Sequence, residues 1–525
     1  MLTDKDLITI REKGITPEQI QQQIEQFRNG FPDLQIVKPA TSKDGIKQLN
    51  EKQLDQMVKV YEKASRKLKR LKFVPASGAA TRMFKHLYAI YNSYKGSEED
   101  YLTIMADKSF NSLNYLNQNM SKFAFYNDFV LALEKNGTSL EEVSRTKDFG
   151  VLLETLLTEK GLNYGNLPKG LLKFHKTFSG NRTPIEEHFI EGLNYAVTGK
   201  KVYLHFTISA EHKDLFENHV NELIAKYEKE NKAKFMVSFS FQKPSTDIVA
   251  VDLENNLFKN KKGELVYRPG GHGALIHNLN DLDADLIFIK NIDNVAQDRV
   301  KDKSSFYKMA LAGILLKTKD EAAIYFKKLH KKVKQDVLNE IELFVKRKLC
   351  IKLPENFDAW SIDDKKTFLM RILDRPYRVC GMVKNEGEPG GGPYWVKNND
   401  GSVSLQIVES SQFNAEQKEL MKKSTHFNPV DIVCSTKNFK KQKYNLLEFI
   451  DKNTGFISQK SVEGNDVKAL EMPGLWNGAM ANWNTIFVEV PIETFNPVKS
   501  INDLLRSEHM LEKDMLANDS IPVIE

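Results

Sequence analysis

Between Lys201 and Ile292 the chain alternates apolar runs with amphipathic helical patterns, and this alternation limits the fold more than any other feature. Lys201–Ile208 predicts a strand, Ala210–Asn231 a helix, Lys234–Phe241 a second strand and Asp285–Ile292 a further one. Strands separated by helices point to an α/β sheet whose strands run mostly parallel. An earlier apolar run, Leu71–Ala76, enters a small-residue loop and a helix predicted over Thr81–Tyr94, and it extends the same pattern.

Outside this core the periodicity is helical. Thr16–Phe27 and Ile46–Leu71 repeat apolar residues every three or four positions among Glu, Gln and Lys, which predicts a helical N-terminal region over 1–70. The stretches at about 95–163 and 298–374 read as helical insertions in a core spanning 71–505, with 506–525 as a C-terminal tail. After residue 374 the pattern turns to strands at Tyr377–Val383, Ser404–Glu409 and Thr485–Val490, with a glycine-rich turn at Gly387–Pro393.

Composition narrows the function classes. The 525 residues allow a large core and, by size alone, about two to four domains. A net charge of +6, set against 76 basic and 70 acidic residues, gives no argument for a nucleic-acid partner. Clusters such as Lys327–Lys334 and Lys437–Lys443 read as solvated faces. Cys350, Cys380 and Cys434 lie far apart and read as free thiols in a reducing compartment. No signal peptide and no membrane span is visible, so the expectation is a cytoplasmic protein with no membrane partner.

The loop Val74-Pro-Ala-Ser-Gly-Ala-Ala-Thr-Arg-Met83 carries the first chemical signal. Small side chains let backbone N–H groups approach a phosphate, and Arg82 adds a cation beside them. It is neither a Walker loop nor a dinucleotide fingerprint, and a structural turn of small residues is the alternative. Four further motifs follow in order: Leu167-Pro-Lys-Gly170 with Arg182-Thr-Pro-Ile-Glu-Glu-His188, then Gln242-Lys-Pro244, then Arg268-Pro-Gly-Gly-His-Gly-Ala274, then Leu286-Ile-Phe-Ile-Lys-Asn-Ile-Asp-Asn294. Two weaker ones close the series, Ser404-Leu-Gln-Ile-Val-Glu-Ser410 and Phe495-Asn-Pro-Val-Lys499.

In this linear order the motifs resemble those of the UDP-sugar pyrophosphorylase branch of the sugar nucleotidyltransferases, over roughly Leu71–Leu505. The chain also resembles an uncharacterised bacterial family built on that core with extra helices. The resemblance implies a mostly parallel nucleotide-diphospho-sugar transferase sheet, GT-A-like, sandwiched by helices. It implies an enzyme joining UTP and a sugar-1-phosphate with Mg²⁺, giving a UDP-sugar and pyrophosphate. By the same resemblance, Ser77, Gly78, Ala79, Ala80 and Thr81 meet the phosphates and base edge, Arg82 the leaving pyrophosphate and Lys169 the transferred phosphate. Gln242, Gly270 and Gly271 would lie at the nucleobase, His272, Glu409 and Lys499 at the sugar phosphate, and Asp293 at the metal. Ser77 and Ala80 stand where the resembled signature has glycines, and their Cβ atoms narrow the phosphate cradle.

Other readings remain open at the level of sequence. A glycosyltransferase could use the same sheet for a nucleotide-sugar donor, and a non-catalytic protein could bind a nucleotide-sugar. Asp283-Ala-Asp285 precedes its strand and reads as a turn, and His272 with His277 lacks the partners of a structural zinc site. Trp476 and Trp483, set among asparagines and glycines in 469–483, suit a sugar face or a core-anchored loop. Gly390-Gly-Gly-Pro393 reads as a flap or a hairpin tip.

Overall fold

The computed structural model describes residues 2–78, 80–387, 390–462, 464–516 and 523–524. Two compact units divide the chain: 1–73, 240–289 and 307–492 form the first, and 74–239, 290–306 and 493–525 the second.

In the first unit six strands lie side by side in the order Ile46–Lys47, Asn484–Glu489, Tyr377–Lys384, Ile432–Ser435, Leu286–Ile289 and Arg70–Pro75. Ile432–Ser435 runs antiparallel to both neighbours, while the other pairings are parallel. The sheet is therefore mostly parallel, as the strand–helix alternation implies. Leu286–Ile289 is buried at all four positions, which explains why it reads as a continuous apolar run and not an alternating one. The helix Glu51–Ala64 packs on it, with Tyr61 meeting Phe288 edge-on at 6.2 Å and 85°.

Three local expectations change. Ile46–Leu71 is not one helix: Ile46 and Lys47 pair beside Phe487 and Val488, and Asn50 starts the helix by accepting from the Gln53 N–H at 2.9 Å. The cap fixes a boundary that periodicity alone passes over. The predicted glycine-rich turn ends earlier, because Gly392 and Pro393 already belong to the strand Gly392–Lys397, which pairs with Ile36–Pro39 and Val403–Val408. A hairpin of Phe456–Val462 and Asn465–Glu471 gave no clear signal, since its first strand is half-exposed and carries Ser, Gln and Lys.

The second unit begins inside the Arg70–Pro75 strand, whose next residue, Ala76, donates its N–H to the Thr207 carbonyl at 2.8 Å. Thr207 closes the strand Lys201–Thr207, on which the helices Pro184–Tyr195 and Lys213–Glu230 pack through Ile185, Phe189, Phe216 and Val220. Between residues 98 and 157 five helices enclose an apolar core that also takes in Met83, Phe84, Val295, Val498 and Leu504. That shared core seats the segments after the small-residue loop, after Asp293 and around Lys499 against one another. No described helix is long and apolar enough to cross a membrane.

Candidate functional site

In the second unit, backbone bonds knit four of the motifs into one cluster. The Ile292 N–H donates to the Pro75 carbonyl at 3.2 Å, so the strand end preceding the loop and the turn carrying Asp293, four residues beyond the strand Leu286–Ile289, are held together. The Ala80 N–H reaches the Leu167 carbonyl at 3.3 Å, joining the loop to the Pro-Lys motif. His188 sits on the helix that Thr183 caps and Pro184 opens, and its Nε2 lies 3.2 Å from the Ile292 carbonyl. Asn294 then accepts from the Asn496 N–H at 2.8 Å, and the Val498 N–H donates to the Asp293 carbonyl at 3.2 Å. The closing Phe-Asn-Pro-Val-Lys segment is thereby fastened to the turn that carries Asp293.

Lys169 stands at the centre of this cluster. Its Nζ lies 2.8 Å from Asp293 Oδ2 and donates to the Val498 carbonyl at 2.7 Å. The two side chains are 12% and 21% exposed, open enough to meet a ligand and closed enough for their charges to interact strongly. Lys290, three residues before Asp293, is taken up by Glu191 at 2.8 Å and does not compete for that carboxylate. Ser77, Gly78, Thr81 and Arg82 are exposed, and Lys499 is exposed with its Nζ 6.0 Å from the Phe495 ring centroid. Ala79 lies outside the described residues.

Mg²⁺ binds through one or two carboxylates together with water and substrate phosphates. Asp293 fits that requirement as a single, partly exposed carboxylate whose Oδ2 is shared with Lys169. No group of three His, Cys, Asp or Glu side chains among the described residues could hold an ion unaided. Asp293 therefore suits a cation delivered with phosphates.

A second cluster lies wholly in the first unit. His272 stacks on Trp476 with ring centroids 4.2 Å apart and planes at 19°, and its Nδ1 accepts from the Leu475 N–H at 3.1 Å. That bond leaves the ring proton on Nε2, and burial lowers the His272 pKa to about 4, so the ring is a neutral donor near pH 7. Trp476 Nε1 donates to Glu409 Oε1 at 2.9 Å, and burial raises the Glu409 pKa against this bond. Gly271, at φ +72°, and Gly273, where a Cβ would overlap the Pro473 carbonyl, explain the glycines flanking His272. Gln242 is half-buried in the turn before Pro244–Thr246, and Gly270 lies against Met472 and the Thr246 carbonyl.

The candidate residues thus divide between the units. Ala80, Lys169, Asp293 and the Lys499 segment are brought together in one, and His272 and Glu409 in the other through Trp476. Lys499 lies in the second unit with Lys169 and Asp293, and His272 and Glu409 lie in the first. The link made by Trp476 was missed as such, although its asparagine- and glycine-rich setting was visible.

A family model matches residues 3–510 of the chain. The protein belongs to the family described as Domain of unknown function (DUF4301). No curated protein matches this DUF4301 chain. Among solved structures it is similar to the uridine diphosphate N-acetylglucosamine pyrophosphorylase from Trypanosoma brucei, at TM-score 0.45 and 11% identity over 95% of this chain and 76% of that one. A mutant UDP-glucose pyrophosphorylase from Leishmania major in complex with UDP-glucose gives TM-score 0.41 and 11% identity, covering 96% and 79%. UDP-glucose phosphorylase from Trypanosoma brucei gives 0.40 and 13%, covering 95% and 77%.

One further feature of the DUF4301 chain had no sequence signal. Glu187 is fully buried, with His175 Nδ1 at 2.8 Å and Lys301 Nζ at 2.5 Å, and His175 Nε2 meets His509 Nδ1 at 2.8 Å. Lys301 comes from the helix Asp298–Leu329, in a stretch that the sequence marks only as a helical insertion. Burial would raise the Glu187 carboxyl, but His175 and Lys301 outweigh it and hold the pKa below the usual carboxylate range.

Proposed function

We propose that this protein is a Mg²⁺-dependent nucleotidyltransferase that joins UTP and a sugar-1-phosphate to give a UDP-sugar and pyrophosphate. The observation that carries the reading is the meeting of Lys169, Asp293 and the Val498 carbonyl beside the small-residue loop, four separate segments bearing phosphate-handling groups.

In this reaction an oxygen of the sugar phosphate attacks the α-phosphorus of UTP, and the bond to the β-phosphate's bridging oxygen breaks as pyrophosphate leaves. Both reactants are anionic, so the chain's task is alignment and charge neutralisation. The small-residue loop, exposed at Ser77, Gly78, Thr81 and Arg82, offers backbone N–H groups to the phosphates, and Arg82 supplies a cation at the leaving pyrophosphate. Lys169 exchanges the Val498 carbonyl for an oxygen of the transferred phosphate while remaining beside Asp293. Asp293 would hold Mg²⁺, which would supply charge neutralisation for the phosphates. In the first unit, neutral His272 can donate from Nε2 to a sugar or phosphate oxygen, Glu409 can accept from a sugar hydroxyl, and Gln242 with Gly270 and Gly271 offers groups for a base edge; in the second, Lys499 offers a cation to phosphate.

The test is pyrophosphate release by the purified protein with Mg²⁺, each of the four nucleoside triphosphates and a pool of sugar-1-phosphates, run beside Asp293→Ala. Release that needs both substrates and is absent in the variant supports the reading. Nucleotide binding without release rejects it in favour of a binding protein.

A further inference from the structure

The first unit contains a cavity of about 560 Å³ bounded by the end of the helix Ile362–Leu373, the turn 397–400, the strand preceding it, and the segments 32–35 and 450–453. None of the candidate residues named above lines it. Its walls carry an unusual pairing of charge and amides.

Arg375 is the buried charge, with 13% of its side chain exposed. Its Nε donates to the Arg371 carbonyl at 3.3 Å and so closes the helix end. Its nearest carboxylate oxygen is on Asp400, 3.8 Å from the terminal nitrogen, and the same oxygen lies 2.9 Å from Arg371. One carboxylate thus serves two guanidinium groups, and burial pushes the Arg375 pKa down to about 10. Lys397 and Lys452 add two exposed cations to the lining, against Asp33 and Asp451. Each of those carboxylates is already engaged, Asp33 by Asn414 at 2.9 Å and Asp451 by the Asn453 N–H at 3.0 Å. The lining therefore has four cations to three carboxylates, and the most buried of the four is a guanidinium, a group suited to an oxyanion.

The rest of the lining is amide-rich. Asn399, Asn453 and Asn482 join Gln406 and Asn398, which bond one another at 3.0 Å. Amides donate and accept as hydroxyl groups do, and among the described residues no aromatic ring lines the cavity to stack on a base. The volume is within the range of small-molecule sites. From this arrangement we infer a second ligand site, separate from the proposed nucleotidyl-transfer residues, that binds a small polyhydroxylated phosphate, with Arg375 on the phosphate and the asparagines on the hydroxyls.

Isothermal titration of the full chain with glucose 6-phosphate, inorganic phosphate and glucose tests this. The expected result is that glucose 6-phosphate binds more tightly than phosphate, that glucose gives no signal up to about 10 mM, and that Arg375→Gln weakens glucose 6-phosphate by about tenfold or more. Arg375 closes a helix end, so the exposed Lys452→Glu serves as a second variant that spares the core, and it should weaken binding in the same direction. Asp293→Asn and Lys169→Met should leave this binding unchanged while abolishing pyrophosphate release. Equal binding of phosphate and glucose 6-phosphate, unchanged affinity in Lys452→Glu, loss of binding in Asp293→Asn, or no binding by the unaltered protein would each overturn the inference.

Discussion

Lys169 and Asp293, 124 positions apart in the chain, form a direct ion pair with Nζ 2.8 Å from Oδ2. Neither charge is deeply buried, and the lysine keeps a second bond to the Val498 carbonyl. The pair holds a cation and a carboxylate in register. Asp293→Asn keeps an oxygen for Lys169 and removes the negative charge, so the thermal midpoint should stay close to that of the parent. Pyrophosphate release should fall by at least about 10²-fold, the size of losing one main electrostatic contact in a transition state. A variant that keeps full turnover would remove Asp293 from the chemistry.

Gly78 separates loop function from folding. Nothing lies within 4 Å of the position a Cβ would occupy there, and its φ is not in the left-handed region. Gly78→Ala should therefore change stability by no more than about 0.5 kcal/mol. If the loop binds phosphates, the same methyl should raise the nucleotide Kd by about tenfold, measured by titration, because it stands where backbone must approach the ligand. Gly273→Ala is the contrasting case, since its Cβ overlaps the Pro473 carbonyl, and it should lower the yield of folded protein.

Trp476→Phe retains a ring to stack on His272 but removes the N–H that Glu409 accepts. Without that donor, burial acts on the Glu409 carboxyl unopposed and its pKa should rise further. Steady-state kinetics should show a weaker KM for the sugar-1-phosphate with the nucleotide KM nearly unchanged. Equal effects on both would mean that Trp476 acts by packing alone.

Stability should fall on acidification in two stages. His272 has its folded pKa lowered from 6.5 to about 4, and His509 is lowered in the same direction by burial and by His175. Between pH 6.5 and 4 the unfolded chain takes up protons that the folded chain refuses, so stability declines as pH falls through that window, and the contribution of these histidines is constant above it. Glu187, with its pKa held below 4.5, contributes stability that is lost only at lower pH. Urea midpoints at pH 7 and pH 5 should differ for the parent and differ less for His272→Gln. An unchanged difference would assign the effect elsewhere.

Glu187→Ala leaves the Lys301 ammonium, only 3% exposed, without its buried partner and strips His175 of its acceptor. The expected loss is about 3–5 kcal/mol, measured by denaturant unfolding. Loss below about 1 kcal/mol would show that Asp298, 2.7 Å from Lys301, suffices as a counter-ion.

The sequence by itself determined the mixed α/β class of fold and several of its longer strands and helices. Wholly buried parallel strands must be apolar along their length, as Leu286–Ile289 is, and amphipathic helices must repeat at their own period, so both leave local marks. The motif residues that converge in the second unit were legible for a related reason: small residues, a Pro-Lys turn and a carboxylate at a strand end each have a chemical meaning within a few positions. Only the tertiary structure decided which of them meet. The pairing of Lys169 with Asp293, the placing of Lys499 in their unit, the bond from Trp476 to Glu409 and the burial of Lys301 against Glu187 all join residues more than 60 positions apart. Such contacts are set by how whole elements pack around a shared core, and no periodicity or spacing along the chain records that packing.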